Sequence, residues 1–530
     1  MKAKNWIGIW AVLVLTALLS IGFWVYKIDP YFHYHKPDLS RYFYTINNQR
    51  SQNDGISKHF EYDALITGTS MTENFKTSEM DEIFGVNSIK VSYSGGSYKE
   101  MNDNLIVALE NNDNLRIIVR GLDYGMILND KDCMRYDLGQ YPTYLYDYNP
   151  FNDVKYIFNK DIIFNRSYSM TLQNDEEGFE PGITNFDSYS RWQYSHTFGV
   201  NTVLPNGLTI TDSATPVHLS DDEKNTIYGN ITQNVTALAD KYPDVDFYYF
   251  FSPYSAAWWA DLKNNGTIYR QIEAEQYVIE LILQHPNIHL YSFNNRTDIT
   301  TDLNNYKDAP HYGQWVNSLI LRWMKDGKYL LTNDNYMDYL EEELQFYSSY
   351  DYLKLNEQID YESDFYSAAL LNNEFRGAEP ISILDKMPET IMLMDAEIIE
   401  NQYLDGLGIQ CVGSLKRESG SDISVEDYIR QKEYVGAKIH IDDIGNHDYL
   451  VFYGKKNADH GQPSVFVYDE ENKKVGEITA NYSNIDNEWH QYVIDLCEVS
   501  GGIDIILNGG YIDSTGSAES NYVFSEILLY

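Results

Sequence analysis

Cysteine is almost missing from this chain. Three occur in 530 residues, Cys133, Cys411 and Cys497. So few exclude a disulfide framework and a cysteine-rich zinc site. Cys411 and Cys497 fall in one late region, and whether they pair depends on a geometry that spacing does not supply. Cations are scarce too, with 39 Lys and Arg against 79 Asp and Glu, a formal charge of −40. Nucleic-acid binding needs clustered cations to neutralise phosphates, so that class is excluded. The acid excess reads as a solvated surface. No repeat of solenoid type runs through the sequence.

What is present is the composition of a folded protein, 43% hydrophobic and 15% aromatic with 47 Tyr. A chain this long is expected to form two or three domains. An uncharged run from Trp6 to Tyr26 is long enough to cross a bilayer as a helix. Trp6, Trp10, Trp24 and Tyr26 lie toward its ends, where amphipathic rings favour the interface. Lys2 and Lys4 favour a cytoplasmic amino terminus, which places the bulk of the chain outside the cell. The alternative is a cleaved signal peptide; the length of the run and the want of a small-residue cleavage site favour a retained single-pass anchor over residues 1–27.

Asp29 to Gly55 reads as a stalk. Its His33 and His35 have no partner at a metal-binding spacing, so no metal is expected there. Short apolar runs then alternate with amphipathic stretches. Strands are predicted at Ala64–Ile66, Ser88–Val91, Leu115–Val119, Val245–Phe251 and Ile288–Phe293. Helices are predicted at Thr77–Phe84, Tyr98–Asn111, Ser220–Lys241, Thr267–Gln284 and Gln314–Met324. This order argues an α/β domain with a parallel sheet over 28–332. Between about 129 and 218 the pattern weakens, and the stretch reads as a long insertion. Residues 333–379 read as an acidic helical connector whose Glu341, Glu342 and Glu343 form a solvated face. From 380 to 530 short strands separated by Gly, Asn and Asp predict a jelly-roll-like β-sandwich. It is similar to carbohydrate-binding modules in outline, and Trp489 and its tyrosines are either sugar-stacking or core residues. Asp442 and Asp443 read as a solvated turn rather than a calcium site.

Three places in the first domain carry chemistry. Gly68-Thr69-Ser70 follows a strand and opens a polar segment, which puts a hydroxyl at the sheet's carboxyl edge beside helix-start N–H groups. Gly95 and Gly96 follow the second strand and let the backbone approach a reacting carbonyl. In Asp308-Ala-Pro-His311, Pro310 keeps the bend out of helix and leaves the carboxylate within reach of the imidazole. A neutral His held by Asp at one nitrogen can take a Ser proton at the other. The bland alternatives are a Ser N-cap, an Asp N-cap and a loop-bonded His.

Ser early, Gly in the second turn and Asp-x-x-His before the last helix resemble the SGNH (GDSL-like) hydrolases. The resemblance covers about Glu61–Asp326. It implies a flavodoxin-like three-layer α/β/α domain and a Ser70, His311, Asp308 triad acting on esters, with no cofactor. The Ser70, Gly95 and Gly96 amides would hold the oxyanion. The family's third block falls at Gly121-Leu122-Asp123, with Asp123 where an oxyanion-binding Asn would stand. A carboxylate donates only when protonated. An anchored, outward-facing domain is similar to the membrane-tethered relatives that move or remove acyl groups on cell-surface polymers. The partners this implies are an acylated surface glycan or small ester, the membrane and a membrane acyltransferase. The rival expectation is a non-catalytic scaffold of the same shape that binds or assembles surface glycans.

Overall fold

The computed structural model describes residues 3–138, 141–147, 149–173, 178–211, 214–361, 363–377, 379–400, 406–416, 424–431, 434–456, 463–479, 489–513 and 521–530. Lys2, on which the expected orientation partly rests, lies outside them. The chain divides into two units, Met1–Gln358 and Ile359–Tyr530.

The apolar run forms helix α1, Ala3–Ile28. Its span Asn5–Ile28 is long and apolar enough to cross a membrane or to serve as a signal sequence. The expected stalk is instead part of the first unit. Asn48 caps helix α2, Gln49–His59, and Gln52, Asn53 and Ile56 of that helix are buried. Polar side chains that satisfy loop backbone, such as Gln52 accepting from the Asn47 and Asn48 N–H groups, leave no hydrophobic signature in the sequence.

Five parallel strands follow: β1 Ala64–Thr67, β2 Ser88–Lys90, β3 Ile117–Leu122, β4 Asp246–Phe251 and β5 Ile288–Ser292. Their order is β2-β1-β3-β4-β5. Ala64, Leu65 and Ile66 are fully buried, as a strand covered on both faces requires. The intervening helices are α3 Thr77–Phe84, α4 Tyr98–Asn111, α5 Asp221–Ile231, α6 Ile268–Ile282 and α7 Gln314–Lys325. A Ser97–Glu100 capping box starts α4, and α7 buries Trp315, Leu319, Ile320 and Trp323. The predicted Ser220–Lys241 helix is interrupted by a π turn at Thr232–Thr236. Asn230 and Asn234, each followed by x-Thr, are buried there, so neither offers a glycosylation site.

The expected connector is divided between the units. Helix α8, Tyr336–Ser349, belongs to the first and lies against α6. Glu343, read as solvated, is fully buried because α8 turns that face onto α6.

The second unit holds two antiparallel sheets. One orders Ala396–Glu400, Leu407–Val412, Asn521–Leu529, Tyr449–Lys456 and His490–Asp495, with Ile381–Ser382 paired beside Asn521–Leu529. The other orders Lys474–Thr479, Ser464–Asp469, Ile503–Asn508, Gly436–Ile441 and Ile391–Met394. Side chains of both, including Ile409, Phe452, Val467, Ile505 and Phe524, form one core. Tyr453, Tyr468 and Tyr522 are buried, which makes them core residues, while Trp489 is half-buried. Cys411 is buried and Cys497 exposed, and both are free, so they do not pair. The Asp442 side chain is almost wholly exposed, as a solvated turn requires. Among the described residues no group of three His, Cys, Asp or Glu is arranged to hold a metal.

Candidate active site

The site lies at the carboxyl ends of β1 and β3, where the strand order reverses and α/β sheets open a crevice. β1 ends at Thr67, and Gly68 takes a φ of +152°. A Cβ at residue 68 would lie 2.4 Å from Thr72 Cγ2, so only glycine lets the chain turn this closely. Ser70 then opens a single 3-10 turn, Ser70–Thr72, capped by Thr69.

Side chains from distant segments hold the carbonyls of this turn. Trp192 Nε1 donates to Ser70 O at 3.1 Å and Asn317 Nδ2 to Met71 O at 3.0 Å. Lys90 Nζ donates to Glu73 O at 2.6 Å and to Phe75 O at 2.8 Å. The Lys90 amine is fully buried, and burial brings its pKa down to about 7. Gln49 links this turn to the Gly-rich one: its amide donates to Glu73 Oε1 and accepts the Ser94 N–H at 2.6 Å.

His311 comes from the loop before α7. An antiparallel bridge between Tyr306 and Tyr312 closes that loop. The Ala309 carbonyl accepts both the N–H and the hydroxyl of Ser255, at 3.1 and 2.7 Å. The imidazole is thereby fixed with Nε2 2.7 Å from Ser70 Oγ. Its Nδ1 lies 2.8 and 3.0 Å from the two Asp308 carboxylate oxygens, and Asp308 Oδ1 also accepts the His311 N–H at 2.9 Å. Burial alone would raise the Asp308 pKa; the hydrogen bonds and charge of His311 outweigh it and hold the carboxyl below its ordinary range. Ser70, His311 and Asp308 are thus brought together in a line.

The other expected residues fare differently. Gly95 sits in the turn at φ +59°, with its carbonyl held by Arg135 Nη1 at 2.7 Å. The Gly96 N–H is donated to the Tyr93 carbonyl at 2.7 Å, so it cannot serve as an oxyanion donor without breaking that turn. Asp123 is buried below the nucleophile turn and accepts hydrogen bonds from the Thr69 hydroxyl and from Tyr254 OH, the latter at 3.0 Å. Burial raises its pKa, opposed by those two hydroxyls. With one oxygen taken by Thr69 and the other by Tyr254, the Asp123 side chain anchors the turn that carries Ser70.

Trp192 is the residue that sequence reading missed. It comes from the long insertion, and its ring meets His311 edge to face at a centroid distance of 5.7 Å. Lys307 Nζ lies 4.2 Å from the centre of the same ring. Asn74 Oδ1 accepts the N–H groups of Trp192 and Gln193, and Gln193 Oε1 accepts the Gln314 N–H that begins α7. A tryptophan in an aperiodic stretch rich in Tyr and Asn carried no signal that would have set it apart.

An alcohol, an imidazole and a carboxylate in this geometry can pass a proton from Oγ to Nε2 while the charge formed is held by Asp308.

No family model matches the chain, and no curated protein sequence matches it. Among solved structures it is similar to a two-domain esterase active on acetylated mannans, at 8% identity over 88% of this chain and 91% of that one, with a TM-score of 0.18. A putative platelet activating factor from Streptococcus pneumonia is similar at 12% identity over 55% of this chain and 91% of its own, TM-score 0.26. The C-terminal CBM6 of a Zobellia galactanivorans laminarinase, LamC, is similar at 10% identity over 29% of this chain and 98% of its own, TM-score 0.17. At such scores the likenesses assign neither a fold family nor an activity to this chain.

Proposed function

We propose that the chain is a membrane-anchored serine esterase or O-acyltransferase of the SGNH type, acting on an acylated cell-surface polysaccharide. The observation that carries this reading is the Ser70–His311–Asp308 line, with 2.7 Å between Oγ and Nε2 and 2.8 Å between Nδ1 and Oδ1. The sheet order β2-β1-β3-β4-β5 is the flavodoxin-like one, and supports a three-layer α/β/α domain. The two-sheet second unit supports a jelly-roll-like sandwich.

In this mechanism His311 Nε2 takes the Ser70 proton as Oγ bonds to the ester carbonyl carbon. The carbonyl electron pair moves onto oxygen, beside the Ser70 and Gly95 amides. The intermediate then collapses: the bond to the leaving alcohol breaks, and that alcohol receives the proton from His311. The acyl-Ser70 ester is next attacked by water or a sugar hydroxyl, which His311 deprotonates, and Ser70 recovers its proton as the acyl group departs. Water gives an esterase and a sugar a transferase. In this reading α1 is a retained anchor with a cytoplasmic amino terminus, so that both units would face outward, within reach of surface glycans and of a membrane acyltransferase that supplies the acyl group.

A second reading is favoured by Asp123, which supplies no third oxyanion donor: a non-catalytic domain of the same shape that binds or assembles surface glycans. Acetate release from an O-acetylated polysaccharide and from an aryl acetate separates the two. Turnover by the wild-type chain that is lost in Ser70→Ala supports the enzyme; a folded wild type inert on both supports the binding protein.

A further inference from the structure

The last turns of α1 do not leave the protein as a bare tether. Val25 is buried with Tyr31, Leu145, Tyr156 and Ile162 in a separate small core, joined by Ile21 and Trp24. Tyr156 and Ile162 belong to the insertion, on a short helix Val154–Ile157 and a π turn Asp161–Tyr168. Directly after α1, the Asp29 carboxylate accepts the N–H groups of His33, Tyr34 and His35 and the Tyr156 hydroxyl. The joint between anchor and insertion is therefore fixed.

The outward face of this piece of insertion is amphipathic, with large apolar side chains beside exposed Lys155 and Lys160. Phe151, Val154, Phe158 and Phe164 are all exposed, Phe151 at 87% and Phe164 at 58%. Covalent register gives their depth. A Cβ on Gly22 would lie 3.3 Å from Ile157 Cγ2 and 3.9 Å from the Phe158 ring. About 20 residues of helix fill the hydrocarbon core. Any such window within the 24-residue span Asn5–Ile28 contains Gly22. The side chains touching Gly22 are then at the level of the acyl chains. Local charge agrees: residues 151–172 carry three cations, Lys155, Lys160 and Arg166, against two acids, in a chain of net charge −40. Arg166 lies over the Tyr31 ring at 4.9 Å and pairs with Asp161 at 3.7 Å, which leaves Lys155 and Lys160 as the exposed cations of the segment.

We infer that residues 151–172 are a second membrane-contacting element, which seats Phe158 and Phe164 in the interface of the leaflet where α1 emerges. This rests on the reading of α1 as a retained anchor. Two attachment points joined at Asp29 would stop the domain from swivelling and hold the Ser70 site at a set height above the surface.

The test uses the full chain in liposomes, with Cys133→Ser and Cys497→Ser and the buried Cys411 kept. Nitroxide probes go on Phe158→Cys and Phe164→Cys, with Leu15→Cys as the anchor reference and Tyr228→Cys as the water reference. Accessibility to oxygen is compared with accessibility to a water-soluble nickel chelate. The expected oxygen-to-nickel ratio at 158 and 164 is at least about tenfold above that at 228 and approaches that at 15. A ratio at both positions equal to that at 228 overturns the inference. So does shielding from both quenchers, which would mean that a second copy or another protein covers the face. A water-like probe at 15 would overturn the anchor reading, and this one with it.

Discussion

Ser70 Oγ and His311 Nε2 stand 2.7 Å apart although 241 residues separate them in the chain. Their meeting needs the tight Gly68 turn on one side and the loop held by Ser255 on the other. Ser70→Ala and His311→Ala are each expected to lower aryl-acetate turnover by about 10³-fold or more. The melting temperature of Ser70→Ala should stay near wild type, while that of His311→Ala should fall, because it leaves Asp308 without its partner and Trp192 without its neighbour. Steady-state kinetics with thermal unfolding checks both.

Asp308→Asn keeps the shape and removes the charge that orients the ring. A fall of about 10³-fold in kcat with little change in KM is expected. Because the folded state holds this carboxyl below its ordinary range, its contribution to stability is present above that range and lost as pH falls through it. Unfolding curves of the variant should therefore show a smaller loss of stability between about pH 5 and 3 than wild type.

Trp192 touches both members of the proton path. Trp192→Phe loses the donor to Ser70 O and keeps a ring on His311, and should lower kcat/KM about threefold. Trp192→Ala loses both and should lower it about tenfold or more. Equal, negligible effects in both variants would show that the insertion does not hold the site.

Much of this arrangement is legible in the sequence. Four of the five strands of the parallel sheet carry clear apolar runs, as strands covered on both faces do; Ser88–Lys90 is the exception, with its Ser and Lys buried and hydrogen-bonded. Asp308 and His311 show because their spacing around Pro310 is local. Strand Ala396–Glu400 is harder to read, because it carries two Glu in five residues and lies at a sheet edge, where the apolar pattern is weak. Trp192, Asn317 and Lys90 reach the nucleophile turn from three separate segments, and no local pattern encodes such a meeting.

Glu343 misled for a related reason. It lies in an acidic run but faces Glu275, and both are fully buried. Asn294 Nδ2 donates to Glu343 Oε1, while Gln271 Nε2 and Tyr124 OH donate to Glu275 at 2.9 and 3.4 Å. Burial raises the pKa of both carboxyls above the ordinary range. The folded state then binds more protons than the unfolded one above about pH 4.3, so stability falls as pH rises. The loss is at most about 1.4 kcal/mol per pH unit for each proton. Glu343→Gln should flatten the decline in melting temperature between pH 5 and 8; a variant as steep as wild type would refute the assignment.

The central claim is that Ser70 is an activated nucleophile. Its most direct test is peptide mass spectrometry of the full chain treated with a fluorophosphonate. The account predicts one phosphonyl group per chain on Ser70, absent from Ser70→Ala and slowed by about 10³-fold in His311→Ala. A well-folded wild type that remains unlabelled at Ser70, or is labelled there at the same rate without His311, would contradict it.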